Sequence, residues 1–254
     1  ARPGRATRDE LPGTPTSYSP HGVVLEGGDP SAVPAVAERR AGVQDEGSQL
    51  VALAAADAPV EGRDEAWVDL CAGPGGKASL LAALAAQRGA RLVAVERHHH
   101  RAGLVRRAVG ADPGVLVVQS DGTRAPFADD SVDRILLDAP CTGLGALRRR
   151  PEARWRRTPE DLAELVELQQ ALLEEAVRVL RPGGALLYAT CSPLLAETAE
   201  VVARASGRGG VVLDDLAPVL PAVSGADGPL PGTLQLWPHR HGTDAMFLAL
   251  LRKQ

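Results

Sequence analysis

Five short apolar runs recur along this chain, and each closes on or beside an acid or a thiol. They are "AWVDL" (66–70), "ARLVAVE" (90–96), "VLVVQSD" (115–121), "VDRILLD" (132–138) and "GALLYATC" (184–191). Each is nearly continuous in apolar residues rather than alternating, the pattern of a strand buried on both faces. Between them lie stretches with helical spacing, such as "ASLLAALAAQ" and "RAGLVRRAV". Strands and helices in alternation predict a doubly wound α/β fold with a mostly parallel sheet. In such sheets ligands bind beyond the carboxyl ends of the strands, near the point where the strand order reverses. The runs end in Asp69-Leu70-Cys71, Glu96, Asp121, Asp138 and Cys191, so chemistry is expected there.

The clearest helix is "TPEDLAELVELQQALLEEAVRVLRPGG". Thr158 is its expected cap, Pro159 takes the first helical position and Asp161 falls at capping-box spacing. Leu162, Leu165, Leu172, Ala176, Val177 and Leu180 share a face, and Pro182-Gly183-Gly184 is expected to end the helix. Residues 1–43 are rich in Pro, Gly, Ser and Thr, with one strand-like run at "GVVLEGG" (22–28), and read as a lead-in or small subdomain. Residues 44–254 form the expected main domain.

Length and composition narrow the class. The chain has 254 residues, of which 44% are hydrophobic and 24% charged, a globular and not a disordered balance. Aromatics are only 3%, so the core must rest on Ala, Val and Leu, and aromatic platforms cannot be the main binding device. The net charge of -4 does not announce a nucleic-acid partner, although charge can be segregated locally. Three cysteines do not make a disulfide framework. No secretory leader opens the chain and no apolar run approaches the ~18 residues that span a bilayer. A cytoplasmic, monomeric protein is expected. The chain starts at Ala1 and its one Met is Met246, so it is expected to be a piece of something longer.

"DLCAGPGGKAS" (69–79) follows a strand and opens a helix. Gly73, Gly75 and Ala78 satisfy G-x-G-x-x-G/A, which leaves a dinucleotide site open. A P-loop is excluded, because it would need Gly at Cys71 and Ser or Thr at Ala78. Glu96, at the end of the second strand, suits two ribose hydroxyls, and Asp121, at the end of the third, suits an adenine amino group. A nucleoside is then recognised with no diphosphate required, which favours S-adenosylmethionine over nucleotide cofactors. Single acids at such places are commonly solvated; their repetition at successive strand ends sets these apart.

The fourth and fifth runs, if neighbours, bring their ends within ~4.8 Å of each other. Asp138, Cys141 and Cys191 would then share one crevice beside the cofactor. A lone free cysteine is often just a small buried hydrophobe. Here both follow apolar runs at turn-forming Pro or Ser, which points away from the core. The set suits one reaction. A thiolate adds to C6 of cytosine with a carboxyl group at N3, C5 becomes nucleophilic towards a methyl sulfonium, and a base then removes the C5 proton as the thiolate leaves. The thiol needs its ordinary pKa of ~8.5 lowered, or a local base.

"VQDEGSQLVA", "DLCAGPGGKAS", "LLDAPCTGLG", "RRRPEARW", "ATCS" and "HGTDAMFLALLRK" together resemble the ordered motifs of the Sun/Fmu-type RNA cytosine-C5 methyltransferases, over residues 43–253. The resemblance implies a Rossmann-like class I methyltransferase fold. It also implies a cofactor loop of Cys71, Ala72, Gly73, Pro74, Gly75, Gly76 and Lys77, with Glu96, Asp121 and Asp138 lining the same site. It makes Cys191 the nucleophile and Cys141 the group that helps release the product. Small-subunit ribosomal RNA is the implied substrate, with tRNA as an alternative. A non-catalytic RNA-binding assembly protein and a nicotinamide-dependent oxidoreductase are the readings from other classes. The sequence departs from the family in Glu96, where Asp is commoner, and in Asp244-Ala245-Met246-Phe247, where "DGFF" is usual. Family members acting on ribosomal RNA resemble a two-part design with a helical N-terminal RNA-binding domain, which is not expected within residues 1–254.

"RRRPEARWRR" (148–157) holds six arginines in ten residues. Arg148, Arg149, Arg150, Arg154, Arg156 and Arg157 offer phosphate contacts and Trp155 one stacking surface. A solvated loop balancing the acidic helix that follows would look the same, but its place just after the Asp-Ala-Pro-Cys loop favours RNA. His98, His99, His100, His239 and His241 lack companions at ligand spacing, so no metal site is expected. Cys71 is expected to pack within the cofactor loop.

Overall fold

Why the strand Val132–Asp138 needs apolar residues at nearly every position is plain from its place: it pairs on both edges and is covered on both faces. The computed structural model describes residues 1–254. The main sheet comprises β1 (Ala66–Asp69), β2 (Arg91–Glu96), β3 (Val115–Gln119), β4 (Val132–Asp138), β5 (Leu180–Thr190), β6 (Val211–Asp214) and β7 (Phe247–Lys253), with the two-residue strand Leu234–Gln235 paired on the start of β7. Their spatial order is β3-β2-β1-β4-β5-β7-β6. All pairings from β3 to β5 are parallel, and β7 inserts antiparallel between β5 and β6. The order reverses between β1 and β4, so the crevice for ligands lies over the ends of these two strands.

Helices α1 (Glu46–Asp57), α2 (Gly76–Gln87) and α3 (His99–Val109) cover one face; α4 (Pro159–Val179) and α5 (Ala199–Gly207) cover the other. Side chains alternate between the two cores, as the pleat requires. Leu136, Leu187 and Ala189 join Leu50, Leu81 and Leu84 under α1 and α2, while Ile135, Leu137, Leu186 and Tyr188 join Leu172, Leu173 and Ala176 under α4. No helix is long and apolar enough to cross a membrane.

The doubly wound, mostly parallel sheet is present as expected. So are the cap of α4, with Thr158 Oγ1 accepting from the Asp161 amide at 3.2 Å, and the reciprocal arm of its capping box. Two expectations differ. Helix α4 stops at Val179, before Pro182-Gly183-Gly184, because Leu180 is already paired with Val132 and fully buried in the sheet. The run read as opening at Gly184 therefore begins four residues earlier. Helix α1 has no amphipathic stripe to betray it, since Leu50 through Ala56 are all buried.

Residues 1–43 contain the two-residue strands Thr14–Pro15 and Val23–Val24, paired antiparallel, and lie over α1 to α3. Glu46 holds them by accepting from the Tyr18 and Ser19 amides at 2.6 and 2.7 Å. A cavity of about 600 Å³ between this segment and the tip of α2 is lined by Val23, Leu25, Gln44, Pro74 and Leu80, among others.

Candidate active site

The register of β4 on β5 sets Asp138 opposite Ala189, so the segments leaving both strands start side by side. Pro140, Cys141 and Thr142 leave one, Cys191 and Ser192 the other. Their thiols meet, with Cys141 Sγ 3.4 Å from Cys191 Sγ. Gly145 holds the two segments together: its amide donates to Cys191 O and its carbonyl accepts from Ala245 N, both at 2.9 Å. A Cβ there would sit 2.2 Å from Ala245 O and 2.8 Å from the Cys191 carbonyl, so only glycine fits.

The two thiols are unequal. A hydrogen bond from Cys141 pulls the Cys191 pKa below the ordinary value, with Lys77 assisting against burial and Asp138. The same bond, then burial, the Cys191 charge and the Glu197 carboxylate, push Cys141 well up. Cys191 is therefore the more acidic thiol of the pair. Cys71, raised well above the usual thiol range by burial and then by Asp69, stays protonated in the loop after β1.

That loop joins β1 to α2. Gly75 sits at φ +104°, where a Cβ would meet Ala108 at 2.7 Å, so the loop can close on α3 only with glycine there. The amide of Gly73 donates to Glu96 Oε2 at 3.1 Å, and the amide of His98 donates to Oε1 at 2.8 Å. Asp121 accepts from the amide and hydroxyl of Thr123, which hold its carboxyl below the usual range. Lys77 Nζ lies 2.8 Å from Asp138 Oδ2. Burial opposes the Lys77 charge, but Asp138 outweighs it and raises the pKa.

Asp69, at the end of the first apolar run but given no role by its sequence, is a member of this cluster. It is 1% exposed, and neither carboxylate oxygen has a hydrogen-bond partner. Burial, and then the Asp138 charge, push its pKa up to about 7; Lys77 pulls the other way. An acid closing an apolar run was the signal available in the sequence.

The arginine stretch divides. Arg148 pairs with Asp45 and donates to Asp244 Oδ1 at 2.9 Å, and Arg149 Nε donates to the two Asp244 oxygens at 3.0 and 3.1 Å. Asp45 and Asp244 are nearly buried, so these two arginines lock α1 to the start of β7. Arg157 Nε donates to Thr142 O at 3.0 Å. Arg150, Arg154 and Arg156 make no ion pair, and Trp155 between them is 85% exposed. No group of three or more His, Cys, Asp or Glu side chains has the geometry to hold a metal.

The model of the 16S rRNA methyltransferase RsmB/F family matches residues 56–252. The chain belongs to this RsmB/F family. Ribosomal RNA small subunit methyltransferase B of Erwinia tasmaniensis is 38% identical over 221 residues, covering 84% of this chain and 47% of the relative. A protein of Mycobacterium tuberculosis with a provisional methyltransferase name is 53% identical over 259 residues, covering 100% of this chain and 56% of that protein. The RsmB/F chain thus spans about half the length of the curated relatives it matches. Among solved structures, NSun6 from Pyrococcus horikoshii with SFG superposes with a TM-score of 0.74 at 27% identity, over 91% of this chain and 60% of that one. The family cofactor is S-adenosylmethionine.

The residues of the RsmB/F chain fit that cofactor. Asp69, Glu96, Asp121 and Asp138 all act electrostatically on Cys71 at the head of the loop, against Lys77 on Asp138 and the exposed Arg97 near Asp121, an excess of negative charge that suits a sulfonium and an ammonium. The unpartnered oxygens of Asp69 are the clearest sign that the site is built for a cationic ligand.

Proposed function

We propose that this chain transfers the methyl group of S-adenosylmethionine to C5 of a cytosine in RNA, most simply small-subunit ribosomal RNA, through a covalent bond between Cys191 and C6. The single observation that carries the reading is the pair Cys191–Cys141, thiol to thiol, beside Asp138 and Lys77 at the end of the central strands.

In this reading Gly73, Glu96 and Asp121 hold the nucleoside, Asp69 and Asp138 meet the cationic groups, and Lys77 keeps Asp138 in place. Cys71, Ala72, Pro74, Gly75 and Gly76 supply the loop. The bound cofactor supplies an electrophilic methyl group. The Cys191 thiolate forms a bond to C6, and Asp138 stabilises N3 of the activated ring, leaving C5 electron-rich. After C5 has gained the methyl carbon, its proton must leave. The charge on Cys191, a main cause of the high Cys141 pKa, has by then been consumed in the C6 bond. Cys141 can give up its own proton to water and take the one from C5. The C5–H electrons re-form the C5=C6 double bond and the Cys191 thiolate departs.

Arg150, Arg154 and Arg156 serve as phosphate contacts and Trp155 as a stacking surface for unpaired bases. Residues 1–43 remain a lead-in segment to a methyltransferase domain of 44–254 in this scheme. A tRNA substrate would use the same residues.

Covalent trapping tests the mechanism. Wild type, Cys191→Ala and Cys141→Ala are incubated with unmodified small-subunit RNA and S-adenosylmethionine and run on a denaturing gel. A protein–RNA adduct that accumulates in Cys141→Ala and vanishes in Cys191→Ala is the expected result. An adduct dependent on Cys141 instead would reverse the two roles, and methyl transfer by Cys191→Ala would falsify the scheme.

A further inference from the structure

Glu197 is fully buried, at the end of the short turn Leu195–Glu197 that follows Cys191, and no lysine or arginine pairs with it. Its carboxylate is held by three neutral donors. Oε1 accepts from the Thr142 amide at 2.7 Å and from Gln169 Nε2 at 3.1 Å; Oε2 accepts from Thr142 Oγ1 at 2.5 Å. Gln169 Nε2 also donates to Pro140 O at 2.8 Å. The residues on either side of Cys141 are thus both tied to one network, and that network starts from the segment that carries Cys191. Thr142 Oγ1 also lies 3.5 Å from the hydroxyl of Ser192, the neighbour of Cys191. Tyr188 closes the arrangement by donating its hydroxyl to Glu197 O at 2.8 Å.

A buried carboxylate without a counter-ion is expensive, and proteins keep one where its charge or its geometry serves a purpose. Here it does two things at once. It fixes the Cys141 segment against Cys191, and it places a negative charge on the Cys141 side of the pair. On the Cys191 side the charge of Lys77 is set against that of its partner Asp138, so the charge that favours a proton on Cys141 is that of Glu197. We propose that Glu197 is the positioning residue of the cysteine pair, which holds the Cys141 loop in register with Cys191 and keeps the proton on Cys141, so that Cys191 is the nucleophile. The assignment rests on the reading of Cys191 as nucleophile and deepens it by naming the group that decides between two adjacent thiols. Handing the proton over is an internal transfer between the two sulfurs, so no outside oxidant or reductant enters.

The test reads thiol reactivity without RNA or cofactor, so failed methyl transfer and failure of this assignment are separately visible. Iodoacetamide labelling of Cys191 and Cys141 is followed by peptide mass spectrometry across pH 5.5 to 10. The charged and titratable groups facing Cys141 are Cys191, Glu197 and Tyr188; those facing Cys191 are Cys141, Asp138, Lys77, Asp244 and Arg149. All but one stay fixed in Glu197→Gln, which preserves side-chain volume and removes the charge. Cys191 in the wild type is expected to label first, with Cys141 slow until alkaline pH. In Glu197→Gln the ratio of Cys141 to Cys191 labelling near neutrality should rise about tenfold, and the Cys141 midpoint should move to lower pH. The exposed Glu200→Gln on the next turn should leave both thiols as they are. An unchanged ratio and midpoint in a folded Glu197→Gln protein overturns the proposal and leaves Glu197 a packing residue. If Glu197→Gln does not fold, Thr142→Val decides. It removes a hydroxyl that ties the Cys141 segment to the carboxylate and supports its charge, so the ratio of Cys141 to Cys191 labelling should rise as in Glu197→Gln, and a ratio that stays or falls overturns the proposal equally.

Discussion

The backbone N–H of Gly73 donates to Glu96 at 3.1 Å, and a Cβ on that glycine would stand 2.1 Å from the accepting oxygen. The nearest obstruction is the end of a flexible side chain rather than backbone, so Gly73→Ala is expected to fold with a melting temperature close to wild type. What it displaces is the carboxylate assigned to the ribose. Cofactor affinity, measured by calorimetry, should fall at least about tenfold, near the loss in Glu96→Ala, in keeping with one charge-assisted hydrogen bond of ~1.5–3 kcal/mol. Full affinity in Gly73→Ala would remove Glu96 from the cofactor site.

Asp69 links the same site to pH. Its carboxyl is held up at about 7 in the folded chain against an ordinary 3.8, so the fold binds this proton more tightly than the unfolded chain does. That stability is fully present below pH 3.8 and is lost as pH rises through about 7. Asp69→Asn does not titrate. Its stability advantage over wild type, in the absence of cofactor, should grow by roughly 2–3 kcal/mol between pH 5 and 7 and level off above. Thermal melts at the two pH values measure this. Added S-adenosylmethionine should stabilise wild type more than Asp69→Asn at pH 8. An advantage that shrinks with pH would mean that the carboxylate is satisfied within the fold.

The fold and the glycine turn between β1 and α2 were legible because strand burial and glycine spacing are local signals. The run 132–138 matches its strand residue for residue, and Asp138 and Cys191 meet because adjacent parallel strands end together. The residues the sequence reading missed share a different property: their role depends on what lies across the sheet. Glu197 is an acid in a loop until Thr142 and Gln169 arrive from 55 and 28 residues away. Arg148 and Arg149 read as free charges because Asp45 and Asp244 are each about a hundred positions distant in sequence. Helix α1 lacked a polar face because it is buried all round, and periodicity needs two faces to be seen.

The division of the arginine stretch can be measured in salt. A single-stranded RNA bound through phosphates loses affinity with log salt at a slope of about −0.7 per contact. Arg150→Ala, Arg154→Ala and Arg156→Ala should each weaken binding of a short unstructured RNA, flatten that slope by roughly 0.7 and leave the melting temperature alone. Trp155→Ala should weaken binding by about 1–3 kcal/mol with the slope unchanged, because stacking releases no counterions. Arg149→Ala should behave in the opposite way. It leaves the nearly buried Asp244 carboxylate with Arg148 alone, so thermal stability should fall, by an amount below the ~3–5 kcal/mol of a fully buried pair because Arg149 is itself partly exposed. Its salt slope should stay near that of wild type. If Arg149→Ala instead flattens the slope as much as Arg154→Ala does, the pair with Asp244 opens on RNA and the whole stretch from 148 to 157 is the binding surface.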